Sequence, residues 1–362
     1  MKKVVVTGGG TGGHIYPAIS VANHLRQSGN VMIRYFGNPL GMEKRIVMQE
    51  GFEMVEITAA GVMNKRFNKQ IQSLILTLKG IGQAFRAMLA DRPNLIFATG
   101  GYVSLPVIVA GCLLRIPVIL HEQNAYPGLV NRIGSLWAKY VCLTFDESRP
   151  YFWNQKHLVC TGLPIRDTFD QSESAWLERQ SRMKEKVILF TGGSQGSKRM
   201  NDVVVGIVSD LLSAHFGIIF LTGSTHYETV RDALMNHIPA DHLENILLLP
   251  YSDDMPQLLL RADLVVARAG ASFLTEMNAM GLPGILIPFA QAASNHQLHN
   301  ALAERNAGAA EVLEEKDLTA DALYQTILSF DDEKLRKMSH ASRLLRKENA
   351  LQKIYELMNL FL

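Results

Sequence analysis

Four times in this chain an apolar strand runs straight into a turn of small residues, twice in each half. Val4, Val5 and Val6 lead into Thr7-Gly8-Gly9-Gly10-Thr11-Gly12-Gly13-His14, and Leu95–Ala98 leads into Thr99-Gly100-Gly101-Tyr102. In the second half Val187–Thr191 leads into Gly192-Gly193-Ser194-Gln195-Gly196, and Leu264–Ala267 into Arg268-Ala269-Gly270-Ala271-Ser272. In a parallel α/β sheet such turns sit at the carboxyl ends of strands, where ligands bind. Glycine there lets backbone N–H groups approach an anion, with the positive end of the next helix behind them. Two such turns in each half predict two α/β domains around one phosphate-bearing ligand.

The spacing between the turns supports that division. Strand patterns at 31–36, 118–121, 141–144 and 157–160 alternate with helical stretches at 17–26 and 129–138, the signature of a doubly wound parallel sheet. Residues 170–186 are polar and charged and lead into a second series of strands at 186–191, 217–222, 245–249, 264–267 and 284–288. The expected domains are therefore 1–165 and 166–344, with a long helical run from about Lys334 to the end. A length of 362 residues and 48% apolar content suit two buried cores. The net charge of +2 argues against a bulk nucleic-acid binder. Cys112, Cys142 and Cys160 form no CxxC pair and no even framework, which predicts a reducing compartment. The start, Met1-Lys2-Lys3 into a short strand and glycines, lacks the apolar core of a secretory leader. The longest apolar stretch, 105–114, falls short of the roughly 20 residues a span needs. The expectation is a soluble protein able to lie on a membrane surface.

Gly8, Gly10 and Gly13 satisfy G-x-G-x-x-G, but a dinucleotide site also needs an acid closing the second strand. That strand ends Tyr35-Phe36-Gly37-Asn38-Pro39, with no Asp or Glu before Glu43. The turn at 192–199 nearly copies a Walker A loop, yet Ser197 replaces the glycine before the lysine and Arg199 replaces the magnesium-binding hydroxyl. No HExxH, paired CxxC or EF-hand pattern predicts a metal, and no cofactor is expected.

Between the turns stand residues that carry chemistry. His14 follows the glycines ahead of a helix expected from about Pro17; an imidazole there suits a general base, against the plainer reading of a capping surface histidine. His121-Glu122-Gln123-Asn124 ends a strand with four hydrogen-bonding side chains, which need either a polar ligand or an internal network. Asn124 is the stronger candidate for touching substrate. Ser272 opens a helix and Glu276 lies a turn further on, placed either to accept from both hydroxyls of a ribose or to favour the helix dipole. Gln291, Ser294, Asn295, His296, Gln297 and Asn300 form a polar cluster after the strand at 284–288.

Together these motifs resemble the family of undecaprenyl-diphospho-muramoylpentapeptide β-N-acetylglucosaminyltransferases, over essentially the whole chain. Gly10-Thr11-Gly12-Gly13-His14, Thr99-Gly100-Gly101-Tyr102, His121-Glu122-Gln123-Asn124, Gly192-Gly193-Ser194-Gln195-Gly196, Arg268 through Glu276, and Asn295-His296-Gln297 carry the resemblance, in that order. It implies a GT-B fold: two Rossmann-like doubly wound parallel-sheet domains facing a cleft, with the last helix, about 345–362, packing back on the first. It also implies UDP-GlcNAc as donor and a polyprenyl-diphosphate-linked muramoyl peptide as acceptor. By motif match Glu276 would hold the uridine ribose, Arg166 would lie beside the uridine and the segment of Ser252 would contact uracil. Ser194, Ala271, Ser272, Phe273, Leu274, Thr275 and Gln297 would serve the diphosphate and sugar, with Gln195, Arg268 and His296 also among the substrate-binding residues. Thr11, Gly12, Gly13 and Asn124 would close over the donor sugar, with Tyr102 on the acceptor side. Ser294 and Leu163 depart from the family's common Asp and Asn.

The resemblance implies an inverting transfer in which the acceptor hydroxyl attacks the sugar carbon as UDP leaves. His14 is the expected base, with Glu122 as the alternative. Between 57 and 90 no acid occurs, while Lys65, Arg66, Lys69, Lys79 and Arg86 accompany Phe67, Ile71, Leu74, Ile75, Leu78, Ile81 and Phe85. A basic, apolar-faced segment suits an anionic membrane surface at the cytoplasmic face, against the plainer reading of a core stripe. Gly80 and Gly82 argue against one continuous helix there. Two other functions fit the same fold: a UDP-GlcNAc 2-epimerase, and a nucleotide-sugar-binding protein without turnover.

Overall fold

A computed structural model describes residues 1–29, 31–61, 67–165 and 186–362. Arg166, Lys65, Arg66 and the polar stretch 170–185 lie outside the described residues, as do the side chains of Phe67 and Lys69. The chain divides into two compact units, Met1–Ile165 with Lys347–Leu362, and Arg166–Arg346.

The first unit is built on seven parallel strands in the order β3-β2-β1-β4-β5-β6-β7. They are β1 (Lys2–Thr7), β2 (Val31–Gly37), β3 (Glu53–Glu56), β4 (Leu95–Ala98), β5 (Val118–Glu122), β6 (Tyr140–Leu143) and β7 (Leu158–Cys160). Strand order reverses between β1 and β4, whose ends are level: Val6 pairs with Phe97 and Thr7 with Ala98. Both glycine turns therefore leave the sheet side by side at the switch point, the usual ligand position of such sheets. Leu95, Ile96, Phe97, Val118, Ile119 and Leu120 are buried on both faces, which is why these strands read as unbroken apolar runs. Ile15, Ala18, Ala22 and Leu25 cover one face, joined by Ile354 and Met358 of the helix Ala350–Asn359.

The second unit repeats the plan with six parallel strands in the order β10-β9-β8-β11-β12-β13. These are β8 (Val187–Thr191), β9 (Gly217–Leu221), β10 (Ile246–Leu249), β11 (Leu264–Ala267), β12 (Gly284–Leu286) and β13 (Ala310–Val312). Here β8 and β11 flank the reversal, with Thr191 level with Ala267. The other two glycine turns emerge there.

Three helices differ from expectation. The helix expected from Pro17 starts at Gly12, with Thr11 as its N-cap, so His14 is inside its first turn. Proline at 17 is still close enough to the start to be tolerated. The terminal run is two helices, Asp332–Leu345 and Ala350–Asn359, separated at Asn349, whose φ of 57° is left-handed. The first packs Met338 into the second unit's core and the other belongs to the first unit.

The third difference is the helix Phe67–Ala90, 24 residues without a break. Gly80 does not interrupt it because the position is a close approach: a Cβ there would stand 2.1 Å from the Thr58 carbonyl oxygen. The inward stripe is Ser73, Thr77, Gly80, Ala84 and Met88, while Ile71, Leu74, Ile75 and Leu78 are 45 to 59% exposed. Over its first half the helix thus turns small and polar residues inward and large apolar ones outward. The core-stripe reading fails for these four residues. Among the described residues no helix is long and apolar enough to cross a membrane.

Candidate active site

In the first unit the turns after β1 and β4 are bolted together. Thr99 N–H donates to the Thr7 carbonyl at 2.9 Å and Thr99 Oγ1 donates to the His14 carbonyl at 2.7 Å. Gly101 has φ of 78°, and a Cβ there would lie 2.2 Å from the Gly9 carbonyl oxygen, so the close approach requires glycine. Tyr102 covers Gly10, where an added Cβ would come within 2.9 Å of its ring. Beneath them lies Glu43, fully buried, accepting from the N–H groups of Asn38 at 3.1 Å and Gly10 at 3.4 Å. Burial and then the Glu43 charge raise the Tyr102 hydroxyl above its ordinary range, so it stays protonated.

His14 is half-buried and its tautomer follows from its neighbours. Nδ1 lies 2.9 Å from the Thr99 carbonyl oxygen, which only accepts, so Nδ1 carries the proton. Gln123 Oε1 is a second acceptor for it, also at 2.9 Å. The lone pair is therefore on Nε2, the nitrogen a base needs. Of the four polar residues closing β5, three form the wall of this site. His121 is buried, and burial followed by the nearby His14 pushes its imidazole down to about 4, so it is neutral. Glu122, also buried, accepts from Asn124 N–H at 2.9 Å, Gly128 N–H at 3.0 Å, Asn131 Nδ2 at 2.8 Å and Asn124 Nδ2 at 3.3 Å. A carboxylate holding four donors braces the loop that carries Asn124. Asn124 itself is partly exposed, as is Gly12, and Thr11 and Gly13 at the start of the helix are exposed.

In the second unit Ser194 and Gln195 are exposed on a turn closed by Gly196 N–H to the Gly193 carbonyl. Ser197, the position that spoils the Walker pattern, caps the helix Lys198–Val205 by accepting from Met200 N–H. The helix Ala271–Ala279 starts at Gly270 with no side-chain cap and no acid in its first turn. Its N–H groups are thus uncovered by its own side chains, as anion binding requires. Glu276 is the sixth residue of that helix, beyond the turn in which a carboxylate favours the dipole, which removes the plainer explanation for it. Ser272, Phe273 and Thr275 are partly exposed; Leu274 points into the core and Thr275 Oγ1 donates to the Ala271 carbonyl. Leu274 and Ala271, both buried, have only backbone to offer.

Arg268 corrects one expectation. It is buried and donates to the carbonyls of Ile287 and Pro288 at 3.2 and 3.3 Å, to Ser197 Oγ at 2.7 Å and to Glu315 at 2.7 Å. Both terminal nitrogens of the guanidinium are engaged, and they tie the turn after β12 to the glycine turns. Burial raises the Glu315 carboxyl, but hydrogen bonds from Arg268 and the Ala290 N–H outweigh it and hold it low. The polar cluster also separates into parts. Gln297 Oε1 accepts from Phe289 N–H, His296 Nδ1 donates to the Ala293 carbonyl, and buried Asn300 donates to the Ala269 carbonyl. Ser294 and Asn295 supply left-handed backbone at φ of 51° and 55°. Ser252 is partly buried after β10, accepting from Asp254 N–H. Among the described residues no group of three or more His, Cys, Asp or Glu is arranged to hold a metal ion.

Residues 4–143 match the N-terminal domain of glycosyltransferase family 28, and residues 187–358 match its C-terminal domain. The chain belongs to glycosyltransferase family 28. A relative from Moorella thermoacetica, named UDP-N-acetylglucosamine--N-acetylmuramyl-(pentapeptide) pyrophosphoryl-undecaprenol N-acetylglucosamine transferase, is 38% identical over 98% of this chain and 97% of its own. The crystal structure of Acinetobacter baumannii MurG has a TM-score of 0.81 at 28% identity, covering 99% of both chains. The UDP-GlcNAc 2-epimerase of Neisseria meningitidis bound to UDP-GlcNAc has a TM-score of 0.64 at 14% identity, over 99% of both chains, a likeness of fold alone. The first match runs from β1 to β6 and the second takes in β8 to β13, so each includes both glycine turns of its half.

Sequence reasoning passed over three residues that shape the family 28 site in this chain. Gln123 and Thr99 sit inside quoted motifs, but nothing in their spacing shows that they meet His14, 109 and 85 residues away. Glu43 was visible only as an acid arriving too late for a dinucleotide site; burial under the first turn is its use.

Proposed function

We propose that the protein transfers GlcNAc from UDP-GlcNAc to the 4-hydroxyl of the MurNAc in undecaprenyl-diphospho-MurNAc-pentapeptide, giving the β-1,4-linked disaccharide lipid and UDP in peptidoglycan synthesis. The observation that carries the chemistry is His14 with Nδ1–H held by two acceptors and the Nε2 lone pair left to take a proton. In the reaction Nε2 receives the acceptor hydroxyl's proton while its oxygen forms the bond to C1 of GlcNAc. The bond from C1 to the UDP oxygen breaks on the opposite face, inverting the configuration. The negative charge growing on the diphosphate is met by backbone N–H groups of the Gly192–Gly196 turn and by the uncapped start of the helix Ala271–Ala279. Ser194, Gln195 and Ser272 flank that region, Glu276 accepts from the ribose, and Gln297 and His296 stand beside the sugar. Asn124, oriented by Glu122, contacts the donor sugar with Thr11, Gly12 and Gly13; Tyr102 lies on the acceptor side.

The lipid-linked acceptor requires a membrane surface, and the outward Ile71, Leu74, Ile75 and Leu78, with exposed Lys79 and Arg86, supply an apolar and basic contact for anionic lipid. This face supports a peripheral location at the cytoplasmic side of the membrane. An epimerase acting on a soluble nucleotide sugar has no use for such a face.

Incubation with UDP-GlcNAc and a lipid-diphosphate muramoyl peptide tests the reading. UDP release that depends on the acceptor is expected. UDP-ManNAc formed from UDP-GlcNAc alone would instead establish the epimerase. Leu74→Glu with Leu78→Glu is expected to weaken sedimentation with anionic vesicles by about tenfold or more, the scale of exposing two buried leucines; unchanged sedimentation would remove the membrane contact.

A further inference from the structure

The base proposed for the reaction is one end of a chain of side chains whose hydrogen bonds all run one way. At the far end His121 Nε2 lies 2.9 Å from the Gly162 carbonyl oxygen. A carbonyl only accepts, so Nε2 carries the proton and His121 Nδ1 holds the lone pair. Gln123 Nε2 faces that lone pair at 3.1 Å, together with the carbonyls of Thr99 at 3.0 Å and His121 at 3.1 Å. Three acceptors around one end of the amide fix its orientation: turned over, the amide would set its oxygen against two carbonyl oxygens and a lone pair. With the NH₂ end so placed, Oε1 must face His14 Nδ1, 2.9 Å away. His121 and Gln123 are both fully buried, so water does not scramble the order.

We propose that Gln123, its amide set by His121, is a positioning residue that holds His14 in the single tautomer and ring orientation in which Nε2 is the base. This rests on the reading of His14 given above, although the tautomer itself is a property of the resting protein. Thr99 O by itself leaves the ring free to tilt about one hydrogen bond; the Gln123 oxygen adds the second anchor and excludes Nε2–H. His121 never touches substrate in this account and acts only through the direction it imposes on Gln123. Its neutrality is part of the device, because an imidazolium would donate from Nδ1 and force the amide to turn over. The relay then would present N–H to His14 Nδ1 and place the proton on the wrong nitrogen.

Nitrogen-15 correlation spectra of the histidine-labelled full-length protein read this directly, with the His14 signals assigned from their loss in His14→Ala. The wild type is expected to show Nδ1 protonated and Nε2 bare. Gln123→Met, which keeps the volume and removes the amide, is expected to bring in a share of the Nε2–H form beside the Nδ1–H form that the Thr99 carbonyl still favours. It should also lower kcat about fivefold, the scale of one net hydrogen bond, with KM for UDP-GlcNAc unchanged. His121→Phe removes one of the three acceptors and leaves the Thr99 and residue-121 carbonyls, so it is expected to change the His14 signals in the same direction but by less. Gln123→Glu as the protonated acid, its O–H toward the three acceptors, restores a carbonyl oxygen at Nδ1 and is expected to return the proton there. A wild-type His14 protonated on Nε2, or His14 signals and kcat unaltered in Gln123→Met, overturns the proposal. If one variant misfolds, the wild-type spectrum and the other variants still decide. Full activity in His14→Ala would refute the base while leaving the tautomer result standing, so the two failures are distinct.

Discussion

The two pairs of glycine turns leave two parallel sheets at equivalent switch points, yet each pair is finished differently. In the first unit the turns pack against each other, Gly101 on Gly9 and Gly8 on Thr99, with a buried carboxylate below and an oriented imidazole at the rim. In the second unit the glycines at the lip, Gly193 and Gly270, would meet nothing within 4 Å if they carried a Cβ. Beside them Ser194 and Gln195 are exposed, while the helix starts at Gly12 and at Ala271 are alike in lacking a side-chain cap. The first arrangement fixes a proton acceptor; the second leaves backbone donors open to an anion. One backbone device thus serves two jobs, and the neighbouring side chains decide which.

Changes that attack one pair and spare the other test this contrast. The largest effect is expected from His14→Ala, which removes the base: kcat should fall by about 10²- to 10⁴-fold, measured as acceptor-dependent UDP release. Next is Arg268→Ala. It strands Glu315 among groups arranged for an ion pair, and urea unfolding should show a loss of roughly 3 kcal/mol in the second unit. Were Arg268 a phosphate ligand, donor affinity would fall while stability held.

The first unit carries a pH signature of its own. Folding depresses the imidazole of His121 from 6.5 to about 4, so the unfolded chain binds the extra proton between those values. Stability is therefore complete above about pH 6.5 and declines as pH falls toward 4, by on the order of 3 kcal/mol. Thermal melts of wild type and His121→Phe across that window measure it, and the slope should be shallower in the variant. The smallest effect is expected from Glu276→Ala, which should weaken UDP-GlcNAc binding by about 10- to 100-fold, the scale of hydrogen bonds to a charged group, and leave kcat near normal at saturating donor.

Much of the plan is legible in the residues alone because it is local. Short, doubly buried strands ending in glycines are readable as a period and a turn, and they place all four turns and both switch points. What is not legible depends on contact between distant segments. The direction of the Gln123 amide is set by Thr99 and His121, and the terminal nitrogens of Arg268 are held by Ser197, Ile287, Pro288 and Glu315. Local propensity misleads where tertiary contact overrides it. Gly12 and Gly13 begin a helix despite their poor preference, and Gly80 stays helical because Thr58 lies too close for any side chain. The inverted face of the helix Phe67–Ala90 is of the same kind: periodicity reveals an apolar stripe, but only the fold reveals that it points outward.

The division of labour between the two pairs of turns is tested most directly by titrating UDP-GlcNAc calorimetrically into His14→Ala beside a turnover assay of the same preparation. The account predicts donor affinity within about twofold of wild type while turnover falls by at least roughly tenfold. Donor binding lost in proportion to turnover would contradict it, because His14 would then be holding the donor rather than accepting the proton.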